Sequence, residues 1–205
     1  MAQKNNRTKE QGAETKKLLY DCADQLFRQC DFKDVSLDAI TRMAGVTKGA
    51  FYVHFESKDA LYVALFSKYV ERLDTEYQAF LDSLPPEISS GEMLLALVKA
   101  IVDLMITQIG YDRLKTVYQL QLAKTMDMEV IKSYGRKLYA IFGQVLERGI
   151  RQGEFKTELS LEALTRQFVM AIRGLTYEWC IRYPDFDFKQ EAVTHFQLLL
   201  YGIKE

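Results

Sequence analysis

Apolar residues recur at intervals of three and four along most of the chain, and no stretch alternates with period two for long enough to make a strand. Residues 1–13 are polar and are expected to be a mobile tail. Leu18, Leu19, Cys22, Ala23, Leu26 and Phe27 then mark one face of a helix that runs to about Cys30. Ser36 stands where an N-cap should, ahead of Leu37, Ile40 and Ala44, and Gly45 ends that short helix. Thr47 caps the next, which closes near His54. Ser57 caps a fourth, with Asp59 in its first turn, where the positive end of the helix dipole favours a carboxylate. This helix continues to about Leu84, roughly 40 Å, and stops at Pro85-Pro86.

Beyond the prolines, Ser89 and Glu92 form a capping-box pair in front of "MLLALVKAIVDLMI". Further helices are predicted over 111–124, from about 128 to Arg151, from Ser160 to about Arg182, and over 188–203 behind Asp187 and Gln190. The fold class is all-α with about nine helices. A small N-terminal bundle, residues 14–58, is joined by the helix over 57–84 to a larger C-terminal domain within 59–205.

Composition narrows the function classes. With 48% hydrophobic and 27% charged residues among 205, the chain is an ordinary globular protein, and three prolines with eleven glycines suit helices. The net charge of −1 means that any anion-binding surface must be local. The first seventeen residues are such a place, with Lys4, Arg7, Lys9, Lys16 and Lys17 against Glu10 and Glu14. Cys22, Cys30 and Cys180 form no CxxC, and the first two are roughly 12 Å apart along one helix, too far to bridge. Reduced, mostly buried thiols in a cytoplasmic protein are expected. No apolar run is long enough to span a bilayer. Two remote histidines and scattered thiols make no metal site, and no nucleophile elbow, P-loop or dinucleotide fingerprint is present. No cofactor is expected, and the chain is not read as an enzyme.

The chemistry concentrates in "AGVTKGAFYVHF", a short helix, a glycine turn and a second short helix, which is the helix-turn-helix layout. At 100° per residue, Phe51 and Phe55 fall together and face the bundle. Opposite them lie Gly49, Ala50 and Val53, a smooth face able to enter a major groove, where Ala50 and Val53 can meet thymine methyls. Tyr52 and His54 flank that face at the phosphate walls, Lys48 reaches a phosphate or a guanine edge, and Lys58 adds a further cation. Two readings stay open at single residues: Gly49 as a point of close helix packing, and His54 as a capped or core histidine.

The segment "SLDAITRMAGVTKGAFYVHFESKDALYVAL", Ser36 to Leu65, resembles the DNA-binding signature of the TetR family of bacterial transcriptional regulators, in register at Ala44, Gly45, Val46, Lys48, Gly49, Tyr52, His54, Phe55, Lys58 and Leu61. The resemblance covers roughly residues 14–66; beyond them only helix layout and length agree. It implies an all-α homodimer joined through its last two helices, a palindromic double-stranded DNA operator, and a small-molecule effector in the C-terminal domain that relieves repression. It gives DNA-contacting roles to Ser36, Thr47, Lys48, Gly49, Tyr52, His54 and Lys58, and sequence preference to Ala50 and Val53.

In the C-terminal half the large soft side chains Met105, Tyr118, Met126, Met128, Phe142, Phe168, Met170, Tyr177 and Trp179 are either core or the lining of a pocket for an apolar or aromatic ligand. Gln119 and Gln121 are candidate polar anchors. Glu178 either faces a cationic ligand or pairs with Arg173 or Arg182. The apolar surface of "LTRQFVMAIRGLTYEW" and "VTHFQLLLYGI" exceeds what one small bundle can bury, as expected for a dimer interface with Gly174 at a close approach. Activation in place of repression, and control by a protein partner in place of a ligand, are the competing readings.

Overall fold

The computed structural model describes residues 2–124 and 129–204. Among them there are ten α-helical segments and no strand: α1 (Ala2–Gln29), α2 (Leu37–Met43), α3 (Lys48–His54), α4 (Lys58–Asp82), α5 (Ser90–Leu104), α6 (Tyr111–Leu122), α7 (Glu129–Lys132), α8 (Lys137–Arg151), α9 (Leu161–Arg182) and α10 (Phe188–Tyr201). Nine of these have seven residues or more. The all-α expectation holds. The described residues form two compact units, one of 2–68 with 120–124 and the other of 69–119 with 129–204.

In the first unit, α1, α2 and α3 pack on one another, and α1 also meets the first turns of α4 through Phe27 and Tyr62. Leu19, Ala23 and Phe27 of α1, Ile40 of α2, Phe51 of α3 and Leu61 of α4 are buried. Tyr20 meets Phe55 edge-on at 5.2 Å, and Phe27 meets Tyr62 at 5.0 Å. The caps are as the sequence predicts: Ser36 Oγ accepts from the Ala39 amide, Thr47 Oγ1 from Ala50 and Ser57 Oγ from Ala60. Gly45, between α2 and α3, has φ 65°, where a side chain would strain the turn.

Two expectations are corrected. Residues 2–13, expected to be a mobile tail, continue α1 back to Ala2. They hold no proline, and Lys, Glu, Gln and Ala sustain the helix. The cysteines, expected to be mostly buried, are half-buried at Cys22 and Cys180 and exposed at Cys30. Burial nonetheless pushes the Cys180 thiol up to about 11.

In the second unit, α5, α8, α9 and α10 share a core of Leu94, Leu97, Ile101, Phe142, Phe168, Ile172 and Phe196. Ser89 and Glu92 form the expected capping box, and Ser160 and Asp187 cap α9 and α10. The end of α5 widens into a π-helical turn at Met105–Ile109, closed by the Gly110 amide donating to Met105 C=O at 2.9 Å. The helix expected from about 128 to Arg151 is interrupted. Ser133 Oγ accepts from the Gly135 amide, and Arg136 is extended, its guanidinium drawn onto Asp74 of α4. Gly149 is required by packing, since a Cβ there would lie 2.2 Å from the Phe155 ring.

Candidate nucleic-acid interface

The site is the outer face of α3, and the bundle builds it by using the opposite face. Phe51 has no exposure and Phe55 has 6%, whereas Tyr52 is 57% and Val53 78% exposed. His54, on a flank, is half-buried, and so is Ala50, which was expected on the open outer face. The predicted split of the four rings is therefore what the fold makes. Gly49 is exposed, and a Cβ built there would meet only Thr47 Oγ1 at 3.7 Å. Among the described residues no neighbouring helix presses on it, so helix packing there does not account for this glycine. His54 lies beside α1, its Cε1 within 3.8 Å of where a Gly12 Cβ would stand.

Ser36 and Thr47 each spend an acceptor lone pair on a helix cap and keep a rotatable O–H. Lys48 is already engaged. Its Nζ lies 2.6 Å from Asp38 Oδ1, and both side chains are more than half exposed. The hydrogen bond and charge of Asp38 hold the Lys48 ammonium above the ordinary lysine range. Sequence reading missed Asp38; its signal is a carboxylate in the first turn of α2, across the turn from a lysine that opens α3.

Lys58 is corrected. Its ammonium donates to Phe32 C=O at 2.7 Å and Val35 C=O at 2.8 Å and sits over the Phe32 ring at 4.2 Å. Burial lowers its pKa, with Asp59 and Asp34 opposing. The side chain ties the α1–α2 loop to α4, and two of its three donors are committed to backbone carbonyls, so it is no open cation for a phosphate.

The candidate ligand residues do not converge. Phe142 and Phe168 pack on Phe196 with centroids 6.1 and 5.8 Å apart. Trp179 stacks on Phe188 at 5.2 Å. Met105 is buried, and its sulfur accepts from Thr176 Oγ1. Tyr118 and Tyr177 do meet edge-on at 5.2 Å; the Tyr118 hydroxyl donates to Arg173 C=O, and burial raises its pKa. Gln119 is exposed and Gln121 half-buried. Glu178 pairs with Arg182 at the surface, the structural alternative for that residue. Met126 and Met128 lie outside the described residues. A cleft of about 420 Å³ opens elsewhere in the second unit, lined by Asp74, Gln78 and Asp82 of α4 and by Lys137, Ala140 and Ile141 of α8. At its wall Arg136 holds the buried Asp74 through two bonds of 2.7 and 3.0 Å. Among the described residues no group of His, Cys, Asp and Glu could hold a metal.

A capped helix-turn-helix with a bare outer face on its second helix, in an all-α chain, defines a DNA-binding regulator. Residues 19–65 match the family model of bacterial regulatory proteins, tetR family. The HTH-type transcriptional regulator AcrR of Shigella flexneri is 26% identical over 95% of this chain and 91% of its own. The HTH-type transcriptional repressor BepR of Brucella suis biovar 1 is 26% identical over 88% of each. Among solved structures, a TetR-family regulator of Pectobacterium atrosepticum superposes with a TM-score of 0.76 at 19% identity, over 95% of this chain and 96% of that one. FadR of Bacillus subtilis, in complex with stearoyl-CoA, superposes with 0.68 at 19% identity, over 91% and 98%. Residues 19–65 thus carry the helix-turn-helix domain of the tetR family, and over nine-tenths of its length the chain is similar to a named transcriptional regulator.

Proposed function

We propose that this regulator is a repressor that binds a palindromic operator as a homodimer, one α3 per half-site, and is released by a small apolar or aromatic ligand taken up by the second unit. The observation that carries it is the division of α3, whose inner face is fully used by the core while Gly49, Tyr52 and Val53 are presented outward. The dimer is supported by α9 and α10, where Met170, Tyr177, Ile181, Leu198 and Tyr201 are exposed and a Cβ on Gly174 would meet nothing. BepR supports repression and the acyl-CoA-bound FadR supports a small-molecule effector. Two-fold symmetry then asks for half-sites one helical turn apart or a multiple of it. The place of work is the cytoplasm; among the described residues no single helix is long and apolar enough to cross a membrane.

The test is competition between a duplex from the promoter of the protein's own gene and a scrambled duplex of equal length, at matched salt. A preference of about a thousandfold or more is expected, and equal affinity for the two ends the reading. Control by a protein partner is the second reading. It is favoured by the rings of Phe142, Phe168 and Trp179 being filled in by other rings of the chain. A panel of acyl-CoAs and aromatic compounds that leaves the melting temperature unmoved would favour it over the ligand, since a ligand of the folded state must raise that temperature.

A further inference from the structure

We infer that Asp38 is a positioning residue for operator selection: it holds Lys48 on the reading face of α3 and cancels its pull toward phosphates at large. The inference rests on the DNA-reading role proposed for α3. The fold itself has little use for the contact. α2 and α3 are fixed by Ile40 and Phe51, neither of which is exposed, and by the caps at Ser36 and Thr47. An ion pair between side chains 58% and 55% exposed adds little to such an arrangement. The carboxylate does suit the first turn of α2, but that role does not call for a lysine of another helix at 2.6 Å. A carboxylate on a surface that meets DNA is repelled by phosphates, so its presence there needs a reason, and the pairing with Lys48 supplies one.

The chemistry is that of a long flexible cation made rigid. A free lysine loses much of its rotamer freedom when it docks on DNA. With one N–H directed to Asp38, the ammonium is already ordered and keeps two donors, enough for the O6 and N7 of a guanine. The pair as a whole is neutral, so it adds nothing to sequence-independent attraction, which is set by net positive contacts. A carboxylate that merely competed with DNA for Lys48 would behave differently. Its removal would help the operator at least as much as random DNA, because only the operator complex would have bought the exchange.

The experiment uses the full chain, a duplex of its own promoter and a scrambled duplex, titrated between 50 and 200 mM salt, with thermal melts to show that each variant folds. Asp38→Asn should bind scrambled DNA several-fold more tightly, with a salt dependence steeper by about 0.9 in log K against log salt, one uncovered cation. Its preference for the promoter duplex should fall about tenfold, the lower end of what one base contact discriminates. Asp38→Glu should keep most of the preference. In a Lys48→Met background Asp38→Asn should change the preference no further. Should Asp38→Asn not fold, Asp38→Ser, which retains an acceptor in the first turn, replaces it. A folded Asp38 variant whose preference is unchanged or increased overturns the inference. A wild-type chain with no preference overturns the α3 reading itself.

Discussion

In α3 the bundle buries two rings and leaves the remaining face bare, whereas in the second unit the large rings are packed on one another. Phe51 and Phe55 are gone from the surface, and Tyr52 and Val53 stand in solvent. Phe142 stacks on Phe196, which Phe168 meets edge-on, and Trp179 stacks on Phe188. The difference separates two kinds of site. A DNA interface is made by what the fold withholds from its own core, so it stands ready at the surface. An effector site inside a packed bundle competes with the core for the same side chains. In the second unit the unusual chemistry is therefore at a polar place, where Arg136 neutralises Asp74 with only 11% and 4% of the side chains exposed.

The largest expected effect falls on that pair. Arg136→Met leaves the Asp74 carboxylate buried without its counter-charge, which should cost about 3–5 kcal/mol of stability, read by urea unfolding followed in the second unit's tryptophan. Adding Asp74→Leu to it should restore most of the loss, because replacing both partners removes the uncompensated charge. A single variant as stable as wild type would show that the pair is wet, and the contrast with the exposed face of α3 would weaken.

The recognition face should answer in the opposite way, in binding and not in stability. Val53→Asn should shift which base is preferred at one operator position by about 1–3 kcal/mol, measured by selection from randomised duplexes. Its unfolding curve should move by less than about 0.5 kcal/mol, as for other surface changes. Tyr52→Phe should weaken promoter and scrambled duplex alike, by about 1 kcal/mol for one lost hydrogen bond. If Tyr52→Phe changes preference and Val53→Asn does not, the roles of groove wall and groove floor are exchanged.

This contrast also explains what could be read from the chain. The N-terminal unit was legible because its geometry is local: Ser36 and Thr47 bond to amides three residues on, Gly45 turns the backbone, and a seven-residue helix divides its faces by a fixed angle. Lys58 was misread because its partners, Phe32 and Val35, lie more than twenty residues away. The same applies to Arg136, held by Asp74 across 62 residues, which lies in the break before α8 where periodicity alone would carry a helix on. Of the large soft side chains expected in a core or a pocket, Phe142, Phe168 and Trp179 are buried, whereas Met170 and Tyr177 are exposed. Whether an inward ring meets another ring or a cavity depends on which helices come together, and no spacing within one helix carries that.

The smallest expected effect concerns a carboxylate that serves the second unit as a helix cap. Glu154 accepts from the Ser90 amide at 2.8 Å, the Ser90 hydroxyl at 2.9 Å and the Gly91 amide at 3.4 Å, at the start of α5. Partial burial pushes its pKa up, but these bonds, with Arg148 nearby, outweigh it and leave the group below the ordinary glutamate range. A depressed folded pKa contributes stability that is complete above the unfolded value, about 4.3, and is lost as pH falls through the folded one. Glu154→Gln should therefore cost about 1 kcal/mol or less at pH 7. Below about pH 4 the unfolding curves of variant and wild type should converge, while promoter preference at neutral pH is unchanged because the contact lies wholly within the second unit. A gap between the two proteins that is constant down to pH 3 would mean that the carboxylate acts through its shape and not its charge.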